Sequence, residues 1–227
     1  MDSSPVLALD LDGTLVDTAP DLVATLNMLL ERDGLRTLSM AEATEMIGAG
    51  VQALIERGLK AVGADRTPEQ IDRLFDEFVA YYEPHIADGS RPYPGVVAAI
   101  DRFRARGWRL AVCTNKLEGL SRALLRDLGI IDRFAAVCGG DTFDIRKPDG
   151  QHLLRTIAKA GGDPMASVMV GDSETDVKTA RNAGLPVVCV DFGYTPVPVA
   201  TFGPDRLISH FDQLDEAVDA ILAARTT

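Results

Sequence analysis

Positive charge is in short supply: 23 Lys and Arg against 34 Asp and Glu leave a formal net charge of −11 over 227 residues. Proteins that bind nucleic acid without sequence preference present a basic face, so no nucleic-acid partner is expected. Cysteine is scarce as well. Cys113, Cys138 and Cys189 are odd in number, far apart and set in apolar strand-like runs, which reads as buried free thiols rather than a disulfide framework. His85, His152 and His210 stand alone and form no metal-ligand spacing. No apolar run approaches the length of a membrane-spanning helix. The N-terminal run MDSSPVLALDLDG has no basic region ahead of its apolar residues, which argues against a secretory leader. A cytoplasmic protein with no membrane partner is expected. Its hydrophobic fraction of 46% and charged fraction of 25% are ordinary for a globular chain. The acidity has a further consequence: an anionic substrate must be met by local positive charge, from a metal, a few placed cations or backbone N–H groups.

Five apolar runs read as strands buried on both faces: Val6 to Asp12, Arg109 to Asn115, Ala135 to Asp141, Ser167 to Ser173 and Pro186 to Phe192. Amphipathic segments lie between them, near Val96 to Arg106, Leu117 to Leu128, Gly150 to Ala160 and Asp176 to Ala183. Gly107, Gly129, Gly161 and Gly184 fall where a left-handed helix terminus is wanted. Alternation of this kind predicts an α/β, Rossmann-like parallel sheet with helices on both faces. Thr18 to Arg91 breaks the rhythm, with helical patterns alone at Asp21 to Glu31, Met40 to Ile47, Val51 to Val62 and Pro68 to Tyr82. The run Thr18-Ala-Pro-Asp reads as a helix start with a capping hydroxyl. Residues 18–91 are therefore expected to form a helical cap domain, and 1–17 with 92–227 the core. The Pro92 to Gly95 run serves as return hinge, and Gly193 to Pro204 as a covering loop.

Polar residues gather where the predicted strands end, the edge at which open parallel sheets bind ligands. Asp10 and Asp12 lie two apart on the first strand and so start on one side of it, with Gly13 permitting a sharp turn. With Asp172 they offer hard oxygen ligands suited to a divalent cation such as magnesium. Thr114 and Asn115 end the second strand, and Lys147 precedes a proline after the third. A hydroxyl and an ammonium there would hold phosphoryl oxygens, the local positive charge that the composition demands. Gly48-Ala-Gly50 follows no strand and lacks the third glycine, so it is not a dinucleotide fingerprint. Its glycines would instead let the backbone approach a small anion.

The run DLDGT, the strand-end threonine, Lys-Pro and GDSETD occur in this order, and the chain resembles the haloacid dehalogenase superfamily of phosphohydrolases along essentially its whole length. The helical insertion is similar to that superfamily's C1-type cap. The resemblance implies Asp10 as nucleophile, forming an aspartyl phosphate, and Asp12 as acid and then base. It implies Mg2+ held by the Asp10 carboxylate, the Asp12 carbonyl and Asp172, with Thr114 and Lys147 gripping the phosphoryl group. Asp176 matches a further acid of the last motif but also reads as half of a capping box with Ser173.

Within the superfamily, IGAGVQALIERGL, RPYPGV, VCTNK and GGDTFDIRKPD resemble bacterial phosphoglycolate phosphatases. One departure is Asp149-Gly150 after Lys-Pro, where relatives often carry a second proline. The partner implied is a small phosphorylated metabolite, 2-phosphoglycolate first, acted on by a monomer or homodimer. Arg57 and Arg146 are candidate partners for its carboxylate. The alternatives are another sugar-phosphate phosphatase, a phosphomutase, or a phosphometabolite-binding protein without turnover. Mutases of this fold usually carry an acid before the last metal aspartate, where this chain has Gly171. A dehalogenase has no need of an acid at the position of Asp12.

Overall fold

The computed structural model describes residues 4–225. β1 (Val6–Leu9) and β2 (Val16–Asp17) lead into four helices, α1 (Ala19–Arg32), α2 (Met40–Thr44), α3 (Val51–Ala61) and α4 (Pro68–Tyr82), which end before β3 (Arg91–Pro92). There follow α5 (Val96–Ala105), β4 (Arg109–Cys113), α6 (Glu118–Asp127), β5 (Ala136–Cys138), α7 (Gly150–Lys159), β6 (Val168–Gly171) and α8 (Glu174–Ala183). The described chain closes with β7 (Val187–Val190), β8 (Arg206–Ile208) and α9 (Leu214–Arg225).

Six strands form one parallel sheet in the order β5-β4-β1-β6-β7-β8. The first half of the chain builds outward from β1 through β4 to β5, and the second half from β6 to β8 on the other side. The sheet thus reverses direction beside β1, where open α/β sheets leave a crevice at the strand ends. The five predicted strands are all present. Period-two alternation sorts β1 between two apolar clusters: Leu7 and Leu9 face the larger one, Val6 and Ala8 the smaller one under α7 and α8. The larger cluster continues into the helices of 19–82 through Leu22, Leu26, Leu54 and Phe78. Cys113, Cys138 and Cys189 are buried and free, all in the smaller cluster. His152 is a satisfied core histidine, its Nε2 lying 2.9 Å from the Gly139 carbonyl and its Nδ1 3.2 Å from Cys113 Sγ.

The sequence reading missed β8, α9 and the β2–β3 pair. β8 has three residues, two of them exposed, at the sheet edge, so it carries no apolar run to detect. β2 and β3 are two residues each and pair antiparallel, Val16 with Pro92 and Asp17 with Arg91. That register ties the start of the helical segment to its end. Between them α1, α3 and α4 pack on one another. The four predicted helix-ending glycines all have positive φ. No helix among the described residues is long and apolar enough to cross a membrane.

Candidate active site

Asp10 leaves β1 at its C-terminal end, its N–H donating to the Val170 carbonyl of β6 at 2.9 Å. The chain then turns at once. Gly13 has φ of +80°, and a Cβ there would meet Asp172 Oδ2 at 2.7 Å and the Tyr194 ring at 2.9 Å, so the turn needs glycine both for backbone freedom and for room. Thr14, just beyond it, donates its hydroxyl to Asp172 Oδ1 at 2.8 Å.

Asp10, Asp172 and Asp176 are buried, with one carboxylate oxygen from each lying within 4.8 Å of the others. Lys147 neutralises part of this charge: its Nζ donates to Asp176 Oδ1 at 2.6 Å and lies 2.8 Å from Asp10 Oδ1. The second contact is an ion pair off the direction of a hydrogen bond, so Asp10 Oδ1 is buried without a hydrogen-bonded partner. Burial pushes the Asp10 carboxyl up to about 6, with Lys147 pulling it back and Asp176 adding to the rise. Burial pushes Asp172 further, to about 8, reinforced by Asp176 and Asp10. Burial alone would lower Lys147, but the two facing carboxylates outweigh it and hold the ammonium above its ordinary range. Asp176 forms the expected capping box and also pairs with Lys147. Its Oδ2 accepts from the Asp172 and Ser173 N–H groups, each at 3.1 Å, and from the Ser173 hydroxyl at 2.7 Å, while Oδ1 takes Lys147.

Asp12 has different company. Its Oδ1 accepts from Thr18 Oγ1 at 2.8 Å and from Lys116 Nζ at 3.2 Å. The Thr18 hydroxyl was expected to cap α1; it makes no cap hydrogen bond because Asp12 engages it. Lys116 is 3% exposed, donates to the Tyr82 hydroxyl of α4 at 2.9 Å and lies 4.6 Å from the centre of that ring. Thr114 is buried, its Oγ1 accepting the Lys116 N–H at 3.2 Å, which leaves the hydroxyl hydrogen free to donate. The Asn115 amide nitrogen reaches the carbonyls of Gly48 at 3.4 Å and Lys147 at 3.3 Å, joining the glycine run of the helical segment to the strand ends.

The predicted covering loop also enters the site. Tyr194 donates its backbone N–H to Asp172 Oδ2 at 2.8 Å. Its hydroxyl accepts from the N–H groups of Thr18 at 2.7 Å and Ala19 at 2.9 Å and donates to Asp17. Tyr194 therefore meets a carboxylate of the acidic cluster through its backbone and the helix-entry strand through its hydroxyl. Of the two arginines singled out, Arg57 lines a cleft with Glu174 and Tyr194 and donates to the Met46 carbonyl at 2.8 Å. Arg146 is exposed in the loop before Lys147.

Asp10, Thr114, Asn115 and Asp172 thus follow the ends of β1, β4 and β6, Lys147 reaches Asp10 from the loop between β5 and α7, and Asp12 lies just beyond. Sequence reasoning missed Thr14, Lys116, Tyr82 and Tyr194. Lys116 had one available signal, a lysine directly after two strand-end polar residues; Tyr82 and Tyr194 had none, since their partners are remote in sequence.

The family model for haloacid dehalogenase-like hydrolases matches residues 7–190. A phosphoglycolate phosphatase of Mesorhizobium japonicum is 49% identical over 212 residues, 93% of each chain. One from Agrobacterium fabrum is 44% identical, covering 95% of this chain and 92% of its own. Among solved structures, a predicted phosphoglycolate phosphatase from Haemophilus somnus superposes with a TM-score of 0.87 at 30% identity, covering 95% of this chain and 98% of that one.

Proposed function

The chain belongs to the haloacid dehalogenase-like hydrolase family, and on that premise we propose that it hydrolyses 2-phosphoglycolate to glycolate and phosphate. The relatives named phosphoglycolate phosphatases support the choice of ester, and the observation that carries the phosphoryl chemistry is the separation of Asp10 from Asp12. One is buried among acids and ion-paired to Lys147; the other is held two residues on by a lysine and a hydroxyl. A nucleophile and a proton carrier need different surroundings of this kind.

Asp10 attacks phosphorus, and the ester P–O bond breaks as Asp12 gives its proton to the departing glycolate oxygen. Asp12 then takes a proton from water, whose oxygen attacks phosphorus and releases phosphate from Asp10. Lys147 and the Thr114 hydroxyl hold the transferring oxygens, with the Asn115 amide beside them. The hard carboxylate oxygens of Asp10 and Asp172, buried close together, suit Mg2+. Asp10, the Asp12 carbonyl and Asp172 would hold it, and it would supply charge neutralisation between nucleophile and phosphate. Asp176 positions Lys147 and the Asp172 backbone. We assign 18–91 as a cap over a core of 1–17 and 92–227, acting in the cytoplasm as a monomer or homodimer.

Gly171 favours hydrolysis over a mutase reaction. A Cβ at this position would fall 2.3 Å from Asp176 Cβ, so an acid there is incompatible with the Asp176–Lys147 pair. The test is phosphate release from a panel of small monoesters with and without EDTA. Magnesium-dependent turnover with 2-phosphoglycolate preferred is expected, and flat inactivity across the panel would return the binding-protein alternative.

A further inference from the structure

Lys116 is more deeply buried than a lysine needs to be to hold one partly covered aspartate. It forms one wall of a small cavity with Asp12; the side chains of Leu22, Ile47, Val51 and Leu54 and the backbone at Gly48 and Gly50 form the remainder. The volume, about 20 Å³, takes one or two water-sized groups and no sugar ring. An ammonium carries three N–H donors. Asp12 Oδ1 takes one and the Tyr82 hydroxyl another, leaving the third for whatever enters the cavity.

We propose that this cavity is the leaving-group subsite and that Lys116 anchors a carboxylate there, making it the residue that selects phosphorylated short-chain 2-hydroxy acids. The inference rests on the phosphatase reading above and goes beyond it by assigning the carboxylate to Lys116 rather than to Arg57 or Arg146. Asp12 must touch the departing oxygen to protonate it, so the first carbon of the leaving group lies beside Asp12. In a 2-hydroxy acid the carboxylate carbon is attached to that first carbon. Lys116 Nζ, 3.2 Å from Asp12 Oδ1, is the cation at that reach. Arg57 lies in the outer cleft with its guanidinium on the Met46 carbonyl, and Arg146 is exposed. Apolar walls exclude water and strengthen an ion pair formed between them.

The experiment compares kcat/KM for 2-phosphoglycolate with that for ethyl phosphate, the two-carbon ester without a carboxylate, in the wild type, Lys116→Met and Lys116→Arg. Loss of Asp12 positioning slows both substrates, so the ratio isolates the carboxylate. In Lys116→Met the wild-type preference should fall about 100-fold, the scale of one buried charge-assisted contact; Lys116→Arg should keep most of it. A preference that survives Lys116→Met overturns the assignment while leaving the phosphatase reading intact. No preference in the wild type overturns the two-carbon-acid reading itself. Val51→Ala serves as a second variant if Lys116→Met does not fold. Widening the cavity should raise 2-phospholactate relative to 2-phosphoglycolate about tenfold, and no change would remove the cavity as the leaving-group seat.

Discussion

The two ends of the site are built from different parts of the molecule. Around Asp10, the partners come from the end of β6, the start of α8 and the loop between β5 and α7: Asp172, Asp176 and Lys147. Around Asp12, partners come from both sides, Lys116 from the sheet edge, Thr18 from the start of α1 and Tyr82 from the end of α4. The first nest touches the helices of 19–82 only indirectly, through Tyr194 on Asp172 and through Asn115 beside Lys147. The second is assembled only when those helices are seated. Bond-making chemistry is thereby fixed in the sheet, while proton delivery and recognition of the leaving group are shared with the helices.

The sharpest way to break this comparison is to remove the nucleophile. Asp10→Asn should cost at least about 10⁴-fold in kcat with the fold intact by circular dichroism; a loss below tenfold would end the assignment. Next in size is a contrast between the two lysines. Lys147→Met strands two fully buried carboxylates and should lower unfolding stability by about 3–5 kcal/mol in urea titration. Lys116→Met leaves a partly exposed aspartate and a phenol, and should cost less. Equal losses would mean the two nests do not differ in burial cost.

A pH series tests the acidic nest alone. Asp10 and Asp172 are raised to about 6 and about 8, so the folded metal-free protein keeps protons that the unfolded chain releases. That contribution is complete near pH 4 and is lost as pH rises through both values. The melting temperature in EDTA should therefore fall from about pH 5 to about pH 8.5, and magnesium should raise it most at the upper end, where both carboxylates are ionised. Asp172→Asn should flatten the upper part of the slope. The smallest effect is expected from Thr18→Val, which removes one hydrogen bond to Asp12 worth about 1 kcal/mol. It should change kcat several-fold and leave the EDTA pH series unaltered.

The acidic nest was far more legible in the sequence than the Asp12 nest, for a physical reason. Strands buried on both faces announce themselves as apolar runs, and the polar residues that end them lie at one edge whatever the register. Asp10, Thr114, Lys147 and Asp172 could thus be placed together without contacts. Asp12 was equally visible, but its partners were not. Thr18 was read as a cap because local pattern offers its hydroxyl only local acceptors, whereas the fold offers it Asp12. Tyr82 only closes the predicted helix Pro68 to Tyr82, and its hydroxyl meets Lys116 only through packing. Tyr194 lay in a loop with no periodicity, yet it bridges Asp172, Asp17 and the first amides of α1. Asp176 keeps its capping-box reading on Oδ2 and adds on Oδ1 a contact to Lys147 that the local pattern did not show.

The antiparallel register of β2 and β3 has one more consequence. Since Val16 faces Pro92 and Asp17 faces Arg91, the chain leaves and re-enters the core around residues 18–90 as it would around the loop of a hairpin. Closing a loop costs entropy that grows only with the logarithm of its length. Helices could therefore lengthen, shorten or be exchanged within that loop while the strand ends keep their places. New leaving groups could be admitted by changing the loop, with Asp10 and its neighbours untouched.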